Sequence, residues 1–262
     1  MQLDLSGKTA LIGGASHGIG RECARQLVML GCRVILLAHA EKNLQSIVDA
    51  FESHHPVGHR YLSLDKVDRL SVEEKIKEVQ QDVGPIEILV NHSNRNPIYK
   101  PLMAAQSQDF ADEFEHYLQI SQMLAQLLIP GMQEQHYGRI VNIISANVED
   151  PHAKMGITNA ARWSVRGWSQ ALSREVGAAG ITVNSVLPGL TRTEFLQTQI
   201  EHYAKEHKAS VADVEAAWKE HQLMKRFAEP EEVAGVVAFL VSHAASYING
   251  VELRVDGGGR VG

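Results

Sequence analysis

A glycine-rich turn close to the N-terminus has the residue types and the spacing of a phosphate-binding loop. Residues 13–20 read Gly-Gly-Ala-Ser-His-Gly-Ile-Gly and directly follow a short apolar segment, residues 9–12. After the turn, Ile19, Cys23 and Leu27 recur every four residues, as on one face of a helix. Glycine lets the backbone turn tightly and approach a ligand, and a helix N-terminus offers unpaired N–H groups and a positive dipole end. A strand, turn and helix in this register predict a binding site for a dinucleotide pyrophosphate.

The end of the second apolar segment bears on which dinucleotide would bind. Residues 33–37 are followed by Ala38 and His39, with no acidic residue. An acid at this position would hydrogen-bond the adenosine 2′-hydroxyl and repel a 2′-phosphate. Its absence favours NADP(H) as the cofactor, with NAD(H) as the alternative.

Seven short apolar segments rich in branched residues alternate with helical patterns along the chain. The segments are residues 9–12, 33–37, 61–64, 86–90, 140–144, 181–187 and 251–255. This alternation predicts an α/β fold in which parallel strands are connected by crossover helices. At 262 residues, one domain spanning residues 1–262 is the economical prediction.

Two further regions of the chain are predicted to be helical. One is a long helix carrying Phe110, Phe114, Leu118, Ala125 and Leu128, which we expect to end at Pro130 and Gly131. The other is the polar, charged stretch 194–226, which we predict to form two short helices and a lid over a substrate site. A plain surface insertion is the alternative for that stretch.

Composition excludes several classes of protein. The net charge of -6 and the absence of a charge run argue against binding to nucleic acid. No apolar run approaches the ~18 residues of a membrane span, and the N-terminus carries no signal pattern, so a cytoplasmic protein is expected.

Cys23 and Cys32 are too far apart for a Cys-x-x-Cys pair and are expected to be buried apolar residues in a reducing compartment.

A cluster of histidines raises the question of a metal site. His54, His55 and His59 stand in a connection that contains proline and glycine, without the His-Glu-x-x-His spacing of a zinc helix. We therefore expect no metal site and interpret these histidines as solvated loop residues.

The glycine turn and five further landmarks resemble one family, the short-chain dehydrogenase/reductase superfamily. Gly14, Gly18 and Gly20 match its Thr-Gly-x-x-x-Gly-x-Gly motif, with Gly13 in place of the threonine. The other landmarks follow in the family's order: Asp65 after the third strand, Asn91 after the fourth, residues 138–145 at the fifth, residues 184–189 at the sixth and residues 255–258 at the last. The resemblance covers nearly the whole chain. It implies a Rossmann-type, doubly wound, seven-stranded parallel sheet with helices on both faces.

The resemblance also implies a set of cofactor-binding residues. The set comprises Gly14, Ser16, His17, Gly18, Ile19 and Gly20 at the turn, His39 after strand two, Asp65 and Lys66 at the adenine, Asn91, His92 and Ser93 after strand four, Arg162 at the ribose, and Pro188, Gly189 and Thr193 beside the nicotinamide. The family's Asn-Asn-Ala-Gly after strand four is here Asn-His-Ser-Asn, so three of its four positions differ. His17 and His39 stand where NADP-preferring relatives often carry basic residues. We hypothesise that these two histidines, when protonated, attract the 2′-phosphate.

The catalytic positions implied by the resemblance are largely replaced. The family uses a serine, a tyrosine, a lysine and an asparagine, and the corresponding residues here are Ser145, Thr158, Arg162 and Tyr117. An aliphatic hydroxyl is a far weaker acid than a phenol, so Thr158 should not donate the proton. Arg162 can hold ribose hydroxyls or stabilise an oxyanion, but it cannot relay protons. His152, Lys154 and Tyr117 are the nearby candidates for a substitute acid.

Three functions are compatible with this pattern. The first is a divergent NADP(H)-linked oxidoreductase acting on a small carbonyl, alcohol or activated double bond, with Ser145 and Arg162 polarising the substrate oxygen. The second is a cofactor-independent lyase similar to the halohydrin dehalogenases, which pair the serine with an arginine; the missing tyrosine at 158 and the glycine turn oppose it. The third is a catalytically silent nucleotide-binding subunit. The resemblance further implies a homodimer or homotetramer assembled through the helices at residues 108–129 and 158–176.

Overall fold

Seven parallel strands form the centre of the molecule. The computed structural model describes residues 3–39, 41–63, 69–93, 95–149 and 153–259. The strands are β1 (Thr9–Gly13), β2 (Arg33–Ala38), β3 (Arg60–Ser63), β4 (Ile88–Asn91), β5 (Gly138–Ile143), β6 (Ile181–Pro188) and β7 (Glu252–Val255). They pair in the order β3-β2-β1-β4-β5-β6-β7, and every pairing is parallel. The predicted seven-stranded parallel sheet is confirmed.

Helices cover both faces of this sheet. They are α1 (Gly18–Met29), α2 (Glu41–His54), α3 (Arg69–Val83), α4 (Ser107–Phe114), α5 (Ile120–Glu134), α6 (Gly156–Val176), α7 (Glu194–His207), α8 (Val211–His221) and α9 (Pro230–Val241). Successive side chains of a strand point to opposite faces. Ala10 and Ile12 of β1 accordingly belong to a core that includes residues of α1 and α9, while Leu11 belongs to the core on the other face, which includes residues of α5 and α6. The fold is therefore doubly wound, as predicted.

The strand order reverses between β1 and β4, which lie side by side although they are not consecutive. Ala10, Leu11 and Ile12 pair with Ile88, Leu89 and Val90. The connections from β1 and β4 leave in opposite directions, so a crevice opens beyond the carboxyl ends of these two strands. In open α/β sheets this crevice is where ligands bind.

The long helix predicted to end at Pro130 differs in the structure. It consists of α4, a π-helical turn at Glu115–Gln119, and α5, which continues past Pro130 to Glu134. Pro130 is exposed, whereas Met132 in the following turn is fully buried. The packing of Met132 in the core offsets the backbone hydrogen bond that proline cannot make.

The histidine-containing connection was also predicted wrongly in part. Residues 41–54 form α2, so that His54 ends a helix. His59 is buried rather than solvated: its Nδ1 accepts a hydrogen bond from Val34 N at 3.0 Å, and its Nε2 donates to His55 O at 3.0 Å. Burial lowers the pKa of His59. The His59 ring therefore links the start of β2 to the residue that follows α2.

The stretch 194–226 contains the two short helices predicted for it, α7 and α8. They carry a small separate core in which Leu196 and Ile200 pack with Val214 and Phe227. Among the helices described, none is long and apolar enough to cross a membrane. Cys23 and Cys32 are both buried free thiols, as expected.

Candidate active site

The glycine turn closes in a way that side chains would prevent. A Cβ atom on Gly20 would lie 2.3 Å from Gly14 O, and one on Gly13 would lie 2.8 Å from His92 O. Gly14 and Gly18 adopt φ values of 60° and 56°, in the region that favours glycine. The backbone of the turn is therefore held close to α1 and to the segment that follows β4.

The N-terminus of α1 points into the crevice. His17 precedes the helix in an extended conformation, and its side chain does not cap the helix; instead, Nδ1 lies 2.9 Å from Ser16 Oγ. The first turn carries no acidic residue. The first N–H groups of α1 can therefore bind phosphate oxygens, and these features fit the diphosphate of a dinucleotide.

A cavity of about 640 Å³ extends from this turn over the carboxyl ends of β1 and β4. That volume lies within the ordinary range for a small-molecule site. The residues predicted to bind cofactor that line it are Gly14, Ser16, His17, His39, Asn91, His92, Ser93 and Arg162. Ile19 is instead packed in the core under the turn, and Gly20 forms the base of the turn. The structure thus brings eight of the predicted residues to one cavity.

The remaining predicted cofactor residues lie near the cavity or outside the described chain. Thr193 stands against the turn, since a Cβ on Gly18 would be 3.2 Å from its Cγ2. Pro188 ends β6, and Gly189 follows it with its N–H donating to Val255 O. Asp65 and Lys66, like the candidate acid His152, lie outside the described residues.

The side chain of Asn91, at the end of β4, links this strand to β5. Its Nδ2 donates to Asn142 Oδ1 of β5 at 2.7 Å, and Asn142 Nδ2 donates to Ser169 Oγ of α6 at 2.8 Å. This chain of side-chain hydrogen bonds joins two strands to the helix that carries Thr158 and Arg162. It determines how α6 lies relative to the crevice.

Ser145 lies directly after β5 and is half-buried. Its Oγ accepts a hydrogen bond from Asn147 N at 3.2 Å and caps the short 3-10 turn Ala146–Val148. The hydroxyl still has its own proton to donate. Ile143 and Ile144, the two residues before it, line the cavity, whereas Ser145 is not among the lining residues.

Thr158 is turned away from the cavity and into the protein. It is fully buried, and its Oγ1 donates to Glu113 Oε2 at 2.6 Å and accepts from Ile98 N at 3.0 Å. Glu113 is itself fully buried, with Arg95 Nε 3.5 Å from its other oxygen. Thr158 therefore joins α6 to α4 and to the segment after β4, and both hydrogen-bonding functions of its hydroxyl are used.

Tyr117 and Arg162 lie side by side in the lining of the cavity. Tyr117 lies in the π-helical turn, and Arg162 Nη2 donates to its phenol oxygen at 3.4 Å. The guanidinium carbon is 5.5 Å from the centre of the Tyr117 ring. Ser121 Oγ donates to Tyr117 O at 2.7 Å, which satisfies a carbonyl in the disturbed ladder of this turn. A phenol and a cation thus lie together, although they come from different helices.

Two residues that no sequence motif indicated, His116 and Arg95, also line the cavity. His116 Nε2 makes a short hydrogen bond to Ser93 Oγ, which in turn accepts from Arg95 N at 3.2 Å. Burial, reinforced by the positive charges of Arg95 and His39, lowers the pKa of His116 to about 4. The imidazole is therefore neutral near pH 7. The one sequence signal for His116 was its position next to Tyr117.

Comparisons with known proteins agree with this geometry. Residues 14–259 match the family model described as enoyl-(acyl carrier protein) reductase. The chain is similar to the 3-oxoacyl-(acyl-carrier-protein) reductases FabG of Haemophilus influenzae, at 34% identity over 97% of this chain and 98% of the relative, and of Vibrio cholerae, at 31% over 98% of each.

Solved structures extend the similarity to the whole fold. The chain is similar to L-sorbose reductase of Gluconobacter frateurii complexed with NADPH and L-sorbose, with a TM-score of 0.93 and 27% identity over 100% of both chains. It is also similar to an actinorhodin polyketide ketoreductase solved with NADPH, with a TM-score of 0.86 and 27% identity over 98% of both. The sequence landmarks, the sheet order and these matches lead to one conclusion: the chain belongs to the short-chain dehydrogenase/reductase superfamily.

Proposed function

We propose that this protein is an NADP(H)-linked oxidoreductase that reduces the carbonyl group of a small molecule, or oxidises the corresponding alcohol. The observation that carries the proposal is the continuity of one cavity. It begins at the uncapped N-terminus of α1 and the glycine turn, and it extends to the phenol of Tyr117 and the guanidinium of Arg162. The relatives named above are reductases, and two of them were solved with NADPH.

The preference for a 2′-phosphate is supported by the residues after β2. His39 is exposed at the cavity, His17 lies at the turn, and both line the same space. A 2′-phosphate near these imidazoles would gain attraction whenever they are protonated. We therefore assign NADP(H) as the preferred cofactor and NAD(H) as a weaker one.

Reduction of a carbonyl needs a hydride and a proton, and we assign the source of each. Bound NADPH supplies the hydride, which gives the carbonyl carbon two electrons and one hydrogen, so the protein must supply a proton to the oxygen. We assign that proton to the hydroxyl of Tyr117. The Arg162 guanidinium lies beside the phenol oxygen and stabilises the negative charge left on it by electrostatic attraction.

Ser145 and Arg162 also act on the substrate oxygen in this proposal. The Ser145 hydroxyl accepts from a backbone N–H and can direct its own proton towards a carbonyl oxygen. Thr158 takes no part in proton transfer, because its hydroxyl is bound to Glu113 and Ile98. Its role is to hold α6 against α4.

The segment 194–226 is assigned as the cover of the substrate end. Tyr99 Oη donates to Gln199 Oε1 of α7 at 2.7 Å, so the first helix of the segment is tied to the chain that follows β4. This bond would have to open for α7 to move away. We further expect a homodimer or homotetramer, as in the family, with the exposed Trp163 of α6 at a subunit contact.

The experiment that tests the proposal separates binding from turnover. Purified protein is titrated with NADPH and with NADH by fluorescence, and a panel of small aldehydes and ketones is then screened by loss of NADPH absorbance. Tighter binding of NADPH together with turnover supports the proposal, and Ser145→Ala should then lower kcat markedly. Binding without turnover would indicate a silent nucleotide-binding subunit. No binding of either dinucleotide would favour the lyase.

A further inference from the structure

We propose that the substrate is a small oxo acid, whose carboxylate is held by Arg95 and Arg162 while its carbonyl is reduced. The inference rests on the proposed function and names the substrate class for that same cavity. It comes from the distribution of charge around Tyr117 and His116 in that cavity.

The described lining of the cavity is rich in cations and contains no carboxylate. Arg95 and Arg162 are both among the lining residues, whereas no aspartate or glutamate is among those the structure describes. A neutral sugar or ketone accounts for Arg162 beside Tyr117 but gives no role to the second guanidinium group, that of Arg95. An anionic ligand does, because arginine offers paired N–H donors that match the two oxygens of a carboxylate.

The two arginines lie at the same end of the cavity. The backbone N–H of Arg95 and Nε2 of His116 both hydrogen-bond Ser93 Oγ. The ring of His116 is 5.1 Å from that of Tyr117, and the Arg162 guanidinium carbon is 5.5 Å from the Tyr117 ring. The guanidinium groups therefore flank the pair formed by His116 and the proposed proton donor.

The charges of these arginines are only partly neutralised by the protein. Glu113 lies 3.5 Å from Arg95 Nε, but the other oxygen of this carboxylate is bound to Thr158, outside the cavity. Arg162 has no carboxylate partner within 4.0 Å among the described residues, and its buried Nε makes no hydrogen bond to any of them. His116 is neutral near pH 7. This end of the cavity therefore has one uncompensated positive charge.

The phosphates of the cofactor do not account for that charge. The diphosphate belongs at the N-terminus of α1, and His17 and His39 serve the 2′-phosphate in the proposed function. Tyr117 and Arg162 instead belong with the reacting carbonyl. A carboxylate separated from the carbonyl by no more than a few bonds would reach the arginines with its carbonyl oxygen at Tyr117. The cofactor would take up most of the 640 Å³, so a small acid is expected.

The test compares acids with neutral analogues in the wild-type protein. Several 2-oxo and 3-oxo acids and their primary amides are assayed with NADPH, and binding of the same compounds to the complex with NADP+ is measured by calorimetry. We expect kcat/KM and affinity to favour the acid by about ten- to a hundredfold, the usual value of a charge-assisted contact. Equal or better use of the amides would overturn the inference and leave the reductase function intact.

Substitution at Arg95 completes the test. Arg95→Gln should remove most of the preference for acids and leave NADPH affinity unchanged, and Arg95→Lys should retain part of it. Arg166→Gln is the matched control, because Arg166 lies on α6 and pairs with Glu252 away from the cavity. Thermal melting shows whether the Arg95→Gln variant folds. If it does not fold, the inference is tested by the Arg95→Lys variant and by the preference of the wild type for acids over amides.

The calorimetric readout keeps the two proposals separate. If no carbonyl is reduced but an oxo acid still binds in preference to its amide, the inference about the anion stands and the reductase function fails. If no oxo acid binds more tightly than its amide, the inference fails whatever the turnover.

Discussion

The two ends of the cavity retain the family pattern to very different degrees. At the glycine turn, ligand binding depends on backbone N–H groups and on the absence of side chains, and Gly14, Gly18 and Gly20 are all present. At the other end it depends on side chains, and only Ser145 matches the family. A Cβ at Gly20 would lie 2.3 Å from the backbone oxygen of Gly14, so any side chain at that position forces the turn to shift. A side-chain function can instead be taken over by a residue from a neighbouring helix, as we propose for Tyr117.

The strongest test of this comparison is the removal of one hydroxyl at the substrate end. Tyr117→Phe should lower kcat by about 100-fold or more, because a positioned general acid contributes about that much or more. NADPH affinity, measured by fluorescence, should stay unchanged. Tyr203→Phe on the exposed face of α7 is the matched control. A Tyr117→Phe enzyme with wild-type kcat would show that another group donates the proton.

At the cofactor end, the expected loss is one of binding. Gly20→Ala should weaken NADPH binding by about ten- to a hundredfold, because overpacking costs about 1–3 kcal/mol and here strains the turn itself. Gly167→Ala in α6 is the control, since a Cβ there meets nothing within 4 Å. If fluorescence titration gave the two variants the same Kd, the turn would not be the binding element.

Thr158 should matter for stability rather than for catalysis. Thr158→Val keeps the shape but leaves the buried Glu113 without its hydroxyl donor, which should lower the free energy of unfolding by about 1–3 kcal/mol. Urea denaturation measures this loss, with the exposed Thr198→Val of α7 as the control. A variant of normal stability whose kcat had collapsed would return Thr158 to the catalytic machinery.

The histidines at the adenine end predict a difference between the two dinucleotides. The double variant His17→Gln, His39→Gln should weaken NADPH binding by about two- to fivefold, because the 2′-phosphate loses two side chains that can carry positive charge beside it. NADH, which lacks this phosphate, should bind the variant and the wild type equally. Fluorescence titration measures both Kd values. An unchanged Kd for NADPH would reject the role of these histidines.

The last prediction concerns stability in acid. His116 has a pKa of about 4 in the folded protein against 6.5 for an unperturbed imidazole, so the unfolded chain binds its proton first as the pH falls. The free energy of unfolding should therefore decrease between pH 6.5 and 4. His116→Gln should make that decrease shallower, whereas His54→Gln, at an exposed position, should not. Unfolding curves collected across this range provide the measurement.

Local patterns in the sequence account for most of the architecture. The strands were predictable because each short apolar segment reflects the burial of that segment alone. Their parallel arrangement followed from the helical patterns between them. The turn at residues 13–20 was predicted for the same reason, since its strand, glycines and helix are contiguous. The alternation also implied a helix between the second and third strands but not its bounds, which the spacing of the buried Leu44 and Val48 indicates.

The proton-transfer end could not be derived in the same way. Thr158 is bound to Glu113, which lies 45 positions earlier in the chain, and no periodicity links the two. The contact depends on how α4 and α6 cross. His116 and Arg95 belong to the cavity through the same packing. The direction of Tyr117 depends on a change of helical type that propensities do not report.

The π-helical turn at Glu115–Gln119 makes the orientation of the phenol depend on chain length as well as on residue identity. Each residue of an α-helix turns its axis by about 100°. Loss of one residue from this turn would therefore swing Tyr117 away from Arg162 without any substitution at either position. A relative with the same tyrosine and arginine, but one residue fewer between Phe114 and Ile120, would align with both residues without bringing them together in its crevice.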